Sequence, residues 1–194
     1  MAEPLSKPRV SALDYLAIER ASEERHELID GEIVAMAGGT RAHSLIAANL
    51  TGELRSALRS GPWQVFTTDL RIGAKQAELY TYPDVSVGCG ELMFEDQNHD
   101  TLLNPTALFE VLSDSTERYD RGEKFACYRS IASLQEYVLV SQKTALVEHF
   151  HRQGDGTWLL RALGPGEGLA LPSLGCEIAV DEIYLKVFER TETG

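Results

Sequence analysis

An α+β fold in one domain, residues 1–194, is what this sequence predicts, and three features carry the prediction. The stretch RAHSLIAANLTGELRSALRS places Leu45, Ile46, Leu50, Leu54 and Leu58 at helical spacing. Asp30-Gly31 stands between ELI and EIVAM, the two-residue signal of a tight hairpin. From Ser133 onward the chain reads as consecutive strands, with QK and GDG as the punctuation between them. Composition agrees: 43% of residues are hydrophobic and 25% charged, the balance of a soluble globular protein. No apolar run approaches the roughly 20 residues of a membrane span. No secretory apolar region follows the N-terminal charges. Cys89, Cys127 and Cys176 are odd in number and widely spaced, which predicts free buried thiols in a reducing cytoplasm and no disulfide framework.

Taken in order, residues 1–10, with Pro4 and Pro8, are expected to form a poorly ordered lead. Ser11 caps a helix, ALDYLAIERASEE, whose imperfect apolar stripe is Leu13, Leu16, Ile18 and Ala21. The Asp30-Gly31 hairpin follows, then a helix opened by Thr40 and closed by Gly61-Pro62. WQVFTTDLRIGA and ELYTYPDVSVG are expected to be strands, with Pro83 marking a strand entry or an edge. GELMFEDQNHDTLLNP reads as a crossing loop. ALFEVL has the length and character of a buried strand, SDSTE of a polar turn, and DRGEKFACYRSI of a charged helix. The C-terminal third predicts a three-stranded meander, GPGEG and LPS as turns, and a closing helix, VDEIYLKVFER, with Ile183, Val187 and Phe188 inward.

Chemistry concentrates between Pro105 and Tyr128. Glu110 sits inside an apolar run, and stripping a carboxylate of water is costly unless a cation or hydrogen bonds replace it. Asp84, after the rigid Pro83, is the acid of the preceding strand. Two carboxylates on adjacent strands suit a hard divalent ion such as magnesium, which takes few protein oxygens and keeps several waters. Lys124 is positioned one strand-turn-helix unit later, where it can orient a water or stabilise a phosphate. Glu27 offers a further ligand or acceptor, with Glu32 its rival across the hairpin. The net charge of −12 opposes extensive contact with duplex DNA. Arg118, Arg121, Lys124 and Arg129 nevertheless cluster beside the candidate site.

HELIDGEIVAMAGGTRAHSLIAANL, YPDVSVG and FEVLSDSTERYDRGEKFACYRSIASLQEYVLV together resemble the Uma-two family of restriction-endonuclease-like proteins, within the PD-(D/E)XK nuclease superfamily. The resemblance runs from about the first helix to the last. It implies a restriction-endonuclease-like core, a mixed β-sheet flanked by helices, with an N-terminal helix and hairpin and a C-terminal β-meander. It also implies an Mg2+- or Mn2+-dependent endonuclease acting on DNA. The PD element matches Pro83-Asp84 and the acidic position matches Glu110, with Asp84 and Glu110 as metal ligands. The superfamily's lysine would stand two places after that acid, where this chain has Leu112. In the resembling family a lysine of the next helix substitutes, which is Lys124 here, and Glu27 matches an acid contributed ahead of the core. Double-strand cleavage by a single-site nuclease implies a homodimer.

Plainer roles compete with these. Glu110 and Lys124 could form only a buried structural salt bridge. Asp84 could be a turn acid. His43 is a lesser catalytic candidate, and Asp120 and Tyr128, each four residues from Lys124, are expected to orient it. His149 and His151 share one strand face, read as solvated in preference to metal-binding. Arg118 and Arg121 fit either a phosphate contact or a solvated face. The displaced lysine and the acidic balance also admit a second function, a catalytically inactive nuclease-fold interaction or regulatory protein.

Overall fold

A computed structural model describes residues 9–36 and 38–188. Of the expected disordered lead, residues 1–8 lie outside the described residues, whereas Arg9 and Val10 are fixed. The Val10 amide donates to the Gly31 carbonyl at 2.8 Å, and Arg9 pairs with Asp30 and Glu78.

Helix α1 (Ala12–Ala21) begins at Ser11, whose hydroxyl accepts the Asp14 amide. Its buried face is not the expected stripe. Leu16 is buried with Tyr15 and Glu19, while Leu13 and Ile18 stay exposed. The helix lies on the hairpin through Tyr15 and Leu16, which pack against Leu28 and Tyr80. That hairpin, β1 (His26–Ile29) and β2 (Glu32–Ala35), turns at Asp30 and Gly31. Both turn residues have positive φ, 49° and 77°, as a primed turn requires. Helix α2 (Arg41–Leu58) is capped by Thr40, whose hydroxyl accepts the His43 amide at 3.1 Å. It buries Ile46, Leu50, Leu54 and Leu58, each contributing about 1.5–3 kcal/mol by leaving water.

The next two expected strands are each broken in two. β3 (Trp63–Thr67) ends in a turn closed by the Leu70 amide on the Thr67 carbonyl, and β4 (Arg71–Ala74) follows in a different sheet. β5 (Leu79–Thr81) and β6 (Val85–Cys89) are likewise in different sheets. Pro83 has no amide to continue a ladder, so the chain crosses between sheets there. The expected loop contains a two-residue strand, β7 (Thr101–Leu102). β8 (Ala107–Leu112) is buried along its whole length, as befits a strand covered on both faces.

After β8, the Ser113 carbonyl accepts the Glu117 amide and its hydroxyl the Thr116 amide, so helix starts earlier than Asp120. α3 (Glu117–Tyr119), a π-helical turn (Asp120–Lys124) and α4 (Phe125–Tyr128) run on continuously. The meander is β9 (Glu136–Ser141), β10 (Val147–Arg152) and β11 (Trp158–Leu163), as expected. The LPS residues turn a hairpin, β12 (Gly168–Leu171) with β13 (Cys176–Ala179), that the short flanking runs did not announce. The closing helix shrinks to α5 (Val180–Ile183), followed by turns in which Lys186 takes a φ of 61°. Ile183 and Val187 are buried as expected, but Phe188 is exposed.

A six-stranded sheet in the order β11-β10-β9-β8-β6-β3 is the centre of the fold, with β8 and β9 parallel. A second sheet runs β2-β1-β5-β4-β7. The mixed α+β architecture is as the sequence predicts. On one face of the central sheet, Phe109, Val111, Val138 and Val140 meet α2, α5 and the β12–β13 hairpin. On the other, Leu108, Leu112, Tyr137 and Leu139 meet the second sheet and α4.

Candidate active site

The candidate acids gather where the two sheets meet. β6 and β8 are antiparallel with Val85 opposite Phe109, so one step on Asp84 comes beside Glu110. Asp84 Oδ2 accepts the Val111 amide at 2.7 Å, which ties the residue after proline to the central strand. Its Oδ1 lies 3.2 Å from Nε2 of His43, at the start of α2. Glu110 belongs to the strand face of Leu108 and Leu112, toward the second sheet, and is only 4% exposed. Its Oε1 accepts the Tyr128 hydroxyl at 2.9 Å and lies 3.0 Å from Lys124 Nζ. Glu27 arrives from β1: its Oε1 accepts the Tyr82 amide at 3.1 Å and is 3.4 Å from Lys124 Nζ. Asp120 Oδ1 completes the shell at 3.5 Å from the same ammonium.

One ammonium therefore faces three carboxylates, with Asp84 beside them, and the charges do not balance. Burial pushes the Glu110 carboxyl well above its ordinary range, and Asp120, Asp84 and Glu27 push the same way against Lys124. Burial also raises Asp120. For Lys124 burial favours the neutral amine, but Glu110, Tyr128, Glu27 and Asp120 outweigh it, so the ammonium is held well above the usual lysine range. The hydrogen bond that His43 makes to the Asp84 carboxylate raises its pKa, against the effect of burial.

Expected residues and observed roles differ in places. Tyr128 packs its ring against Lys124 as expected, and its hydroxyl in addition donates to Glu110 and sits 2.6 Å from the Thr81 hydroxyl. Its ring centroid is 6.0 Å from Lys124 Nζ. Asp120 does meet Lys124, across a π-helical turn, a local irregularity frequent at functional sites. Arg121 is held by Glu117 and Glu148 in ion pairs, which removes it from the candidates for phosphate contact. The cysteines are free, as expected, but half-buried. His149 is 3% exposed, so the expectation of a solvated His149–His151 face fails: the β12–β13 hairpin covers that end of the sheet, and the Ser173 amide reaches Glu136 there.

Sequence reasoning missed Tyr119 and the support behind Pro83. The Tyr119 hydroxyl is buried and has no hydrogen-bond partner among the described residues, while burial raises its pKa and the charges of Lys124 and Glu27 reach it. The Tyr82 hydroxyl donates to Glu19 at 2.8 Å and accepts from buried Arg71 at 2.7 Å. That network anchors the crossing before Asp84. A glutamate in an imperfect helical stripe was the only available signal for it.

Oxygen donors of this kind suit a hard cation. Among the described residues, however, Glu136, His149 and His151 are the one group of three His, Cys, Asp or Glu whose ligand atoms all lie within 4.8 Å. Glu27, Asp84 and Glu110 are looser, with the Lys124 ammonium among them. Magnesium needs only one or two carboxylates, so the donor set of Asp84 and Glu110 fits without a third protein ligand.

Among the described residues, no helix is long and apolar enough to cross a membrane. An uncharacterized protein of Synechocystis sp. is 38% identical over 177 residues, covering 91% of this chain and 92% of its own length. A second from the same organism is 37% identical over 154 residues, covering 79% and 87%. A crystal structure of a "putative nuclease belonging to DUF820" from Anabaena variabilis superposes with a TM-score of 0.76 at 17% identity, over 92% of this chain and 99% of that one. It shares the fold. Residues 12–181 match the Uma2 family, described as "Putative restriction endonuclease", and the chain belongs to that family.

Proposed function

We propose that the protein is an Mg2+- or Mn2+-dependent endonuclease that hydrolyses DNA phosphodiester bonds. The observation that carries the reading is the excess of carboxylate where the sheets meet: buried Glu110 and Asp120 and part-buried Glu27 around the single ammonium of Lys124, with Asp84 beside Glu110 and paired to His43. Carboxylates kept together at such a desolvation cost are better explained by a cation they serve than by stability, because hydrophobic replacements of buried ion clusters are often neutral or stabilising. In this reading Asp84 and Glu110 hold the metal, whose part would be to lower the pKa of a bound water and offset charge on the scissile phosphate. Lys124 positions the attacking water or stabilises the phosphate oxygens. Glu27 holds Lys124 in place. Two copies would serve the two strands of a duplex, and the free thiols fit a reducing cytoplasm.

One observation favours a second reading. Lys124 lies within 3.0–3.5 Å of three carboxylates, the geometry of a structural salt-bridge cluster in an inactive nuclease fold that binds a partner. Isothermal titration of manganese separates the two. The nuclease reading expects binding to the wild type and to His151→Ala, with heats lost in Asp84→Ala. Equal heats in wild type and Asp84→Ala would leave the interaction protein as the better description.

A further inference from the structure

We infer that Glu136, His149 and His151 form a second metal site, for a zinc-class divalent cation, on the opposite face of the central sheet from the carboxylate cluster. His149 and His151 are two apart on β10 and so project from one face. Glu136 on β9 stands directly opposite His151 in the antiparallel register. In the parallel pair β8–β9, Ala107 is opposite Glu136 and Glu110 is opposite Leu139. Glu136 thus shares its face with Val138 and Val140, and Glu110 shares the other with Leu139. Glu136 and Glu110 are therefore separated by the sheet itself.

The site is built rather than incidental. Glu136 is fully buried, His149 nearly so, and His151 is partly open. Both imidazoles converge on one oxygen: His149 Nε2 is 2.6 Å and His151 Nδ1 is 2.9 Å from Glu136 Oε2. The other oxygen, Oε1, accepts the Ser173 amide at 2.9 Å from the β12–β13 turn, the kind of outer hydrogen bond that fixes a ligating carboxylate. No lysine or arginine pairs with Glu136 among the described residues. Two imidazoles and a carboxylate with an open fourth position is a ligand set that zinc takes, and imidazole also suits copper and nickel but not magnesium. A cation here ties β9 to β10 beneath the β12–β13 hairpin.

The test is titration of zinc into the full chain as wild type, Asp84→Ala and His151→Ala, with folding of each checked by circular dichroism. One zinc should bind wild type and Asp84→Ala with equal affinity, and His151→Ala should bind about 10- to 100-fold more weakly or worse, since even outer partners of a metal ligand are worth that much. Equal affinity in His151→Ala, or no uptake by the wild type, would overturn the inference. A second readout needs no variant. In nitrogen-15 spectra of the wild type, zinc should shift His149 Nε2 and His151 Nδ1, and zinc bound with both nitrogens unmoved would place it elsewhere.

Discussion

Glu110 is held by two groups against the carboxylates around it. Tyr128 donates to it, Lys124 faces it, and Asp84 and Asp120 repel it. Tyr128→Phe removes the hydroxyl while keeping the ring that packs against Tyr137 at 5.5 Å. Hydrogen bonds to charged groups are worth about 1.5–3 kcal/mol, so denaturant titration should find a loss of that size in the variant. Lys124→Met is expected to cost more, about 3–5 kcal/mol, because it strands buried carboxylates without their cation. A neutral effect of Lys124→Met on the chemical denaturation midpoint would mean that the carboxylates are already protonated or solvated. The residues that meet at this point were legible individually, because a charge inside ALFEVL and an acid after proline are anomalies that need a reason. Which hydroxyl orients which acid was not. That depends on the register of β6 against β8 and on a π-helical turn, and neither leaves a periodicity in the sequence.

Helix α2 shows what local pattern determines well. Its leucine spacing, Thr40 cap and Gly61-Pro62 stop all agree with one another, and the observed helix matches them. Leu50→Ala, at a position with no exposure, should destabilise by about 2–5 kcal/mol. Thr40→Ala should cost about 1 kcal/mol; thermal or urea unfolding of both variants checks the ordering. Where neighbouring signals were absent, the sequence was misleading. α1 offers Leu13 and Ile18, yet its position on the hairpin is decided by Tyr15 and Leu16, which reach Leu28 and Tyr80 from a distant strand. β12 and β13 are four residues each, too short for alternation to stand out against their turns. The breaks between β3 and β4 and between β5 and β6 are sheet-to-sheet crossings, a property of topology to which continuous apolar runs are blind.

Across the whole molecule, acidic balance and paired charges set the response to pH. Asp100 binds Arg20 and Arg71 across α1, β4 and β7, and chiefly the Arg20 hydrogen bond holds its carboxyl down at about 2. A depressed carboxylate stabilises the fold above its unfolded pKa and loses that contribution as pH falls through the folded value. Stability should therefore decline between about pH 4 and pH 2, and Asp100→Asn should be less stable at neutral pH with a shallower acid limb. An unchanged acid limb in that variant would assign acid unfolding to other carboxylates. Under the nuclease proposal, the −12 charge predicts that DNA would be engaged through the site and its cation and not through a broad basic surface, so affinity should depend weakly on monovalent salt.

Cleavage of supercoiled plasmid in the presence of magnesium or manganese is the most direct test of the nuclease proposal. Wild type should nick or linearise the plasmid, chelation should stop it, and Asp84→Ala and Glu110→Gln should each lose at least about 100-fold in rate. No cleavage by the wild type with either metal, or full activity in either variant, would contradict it.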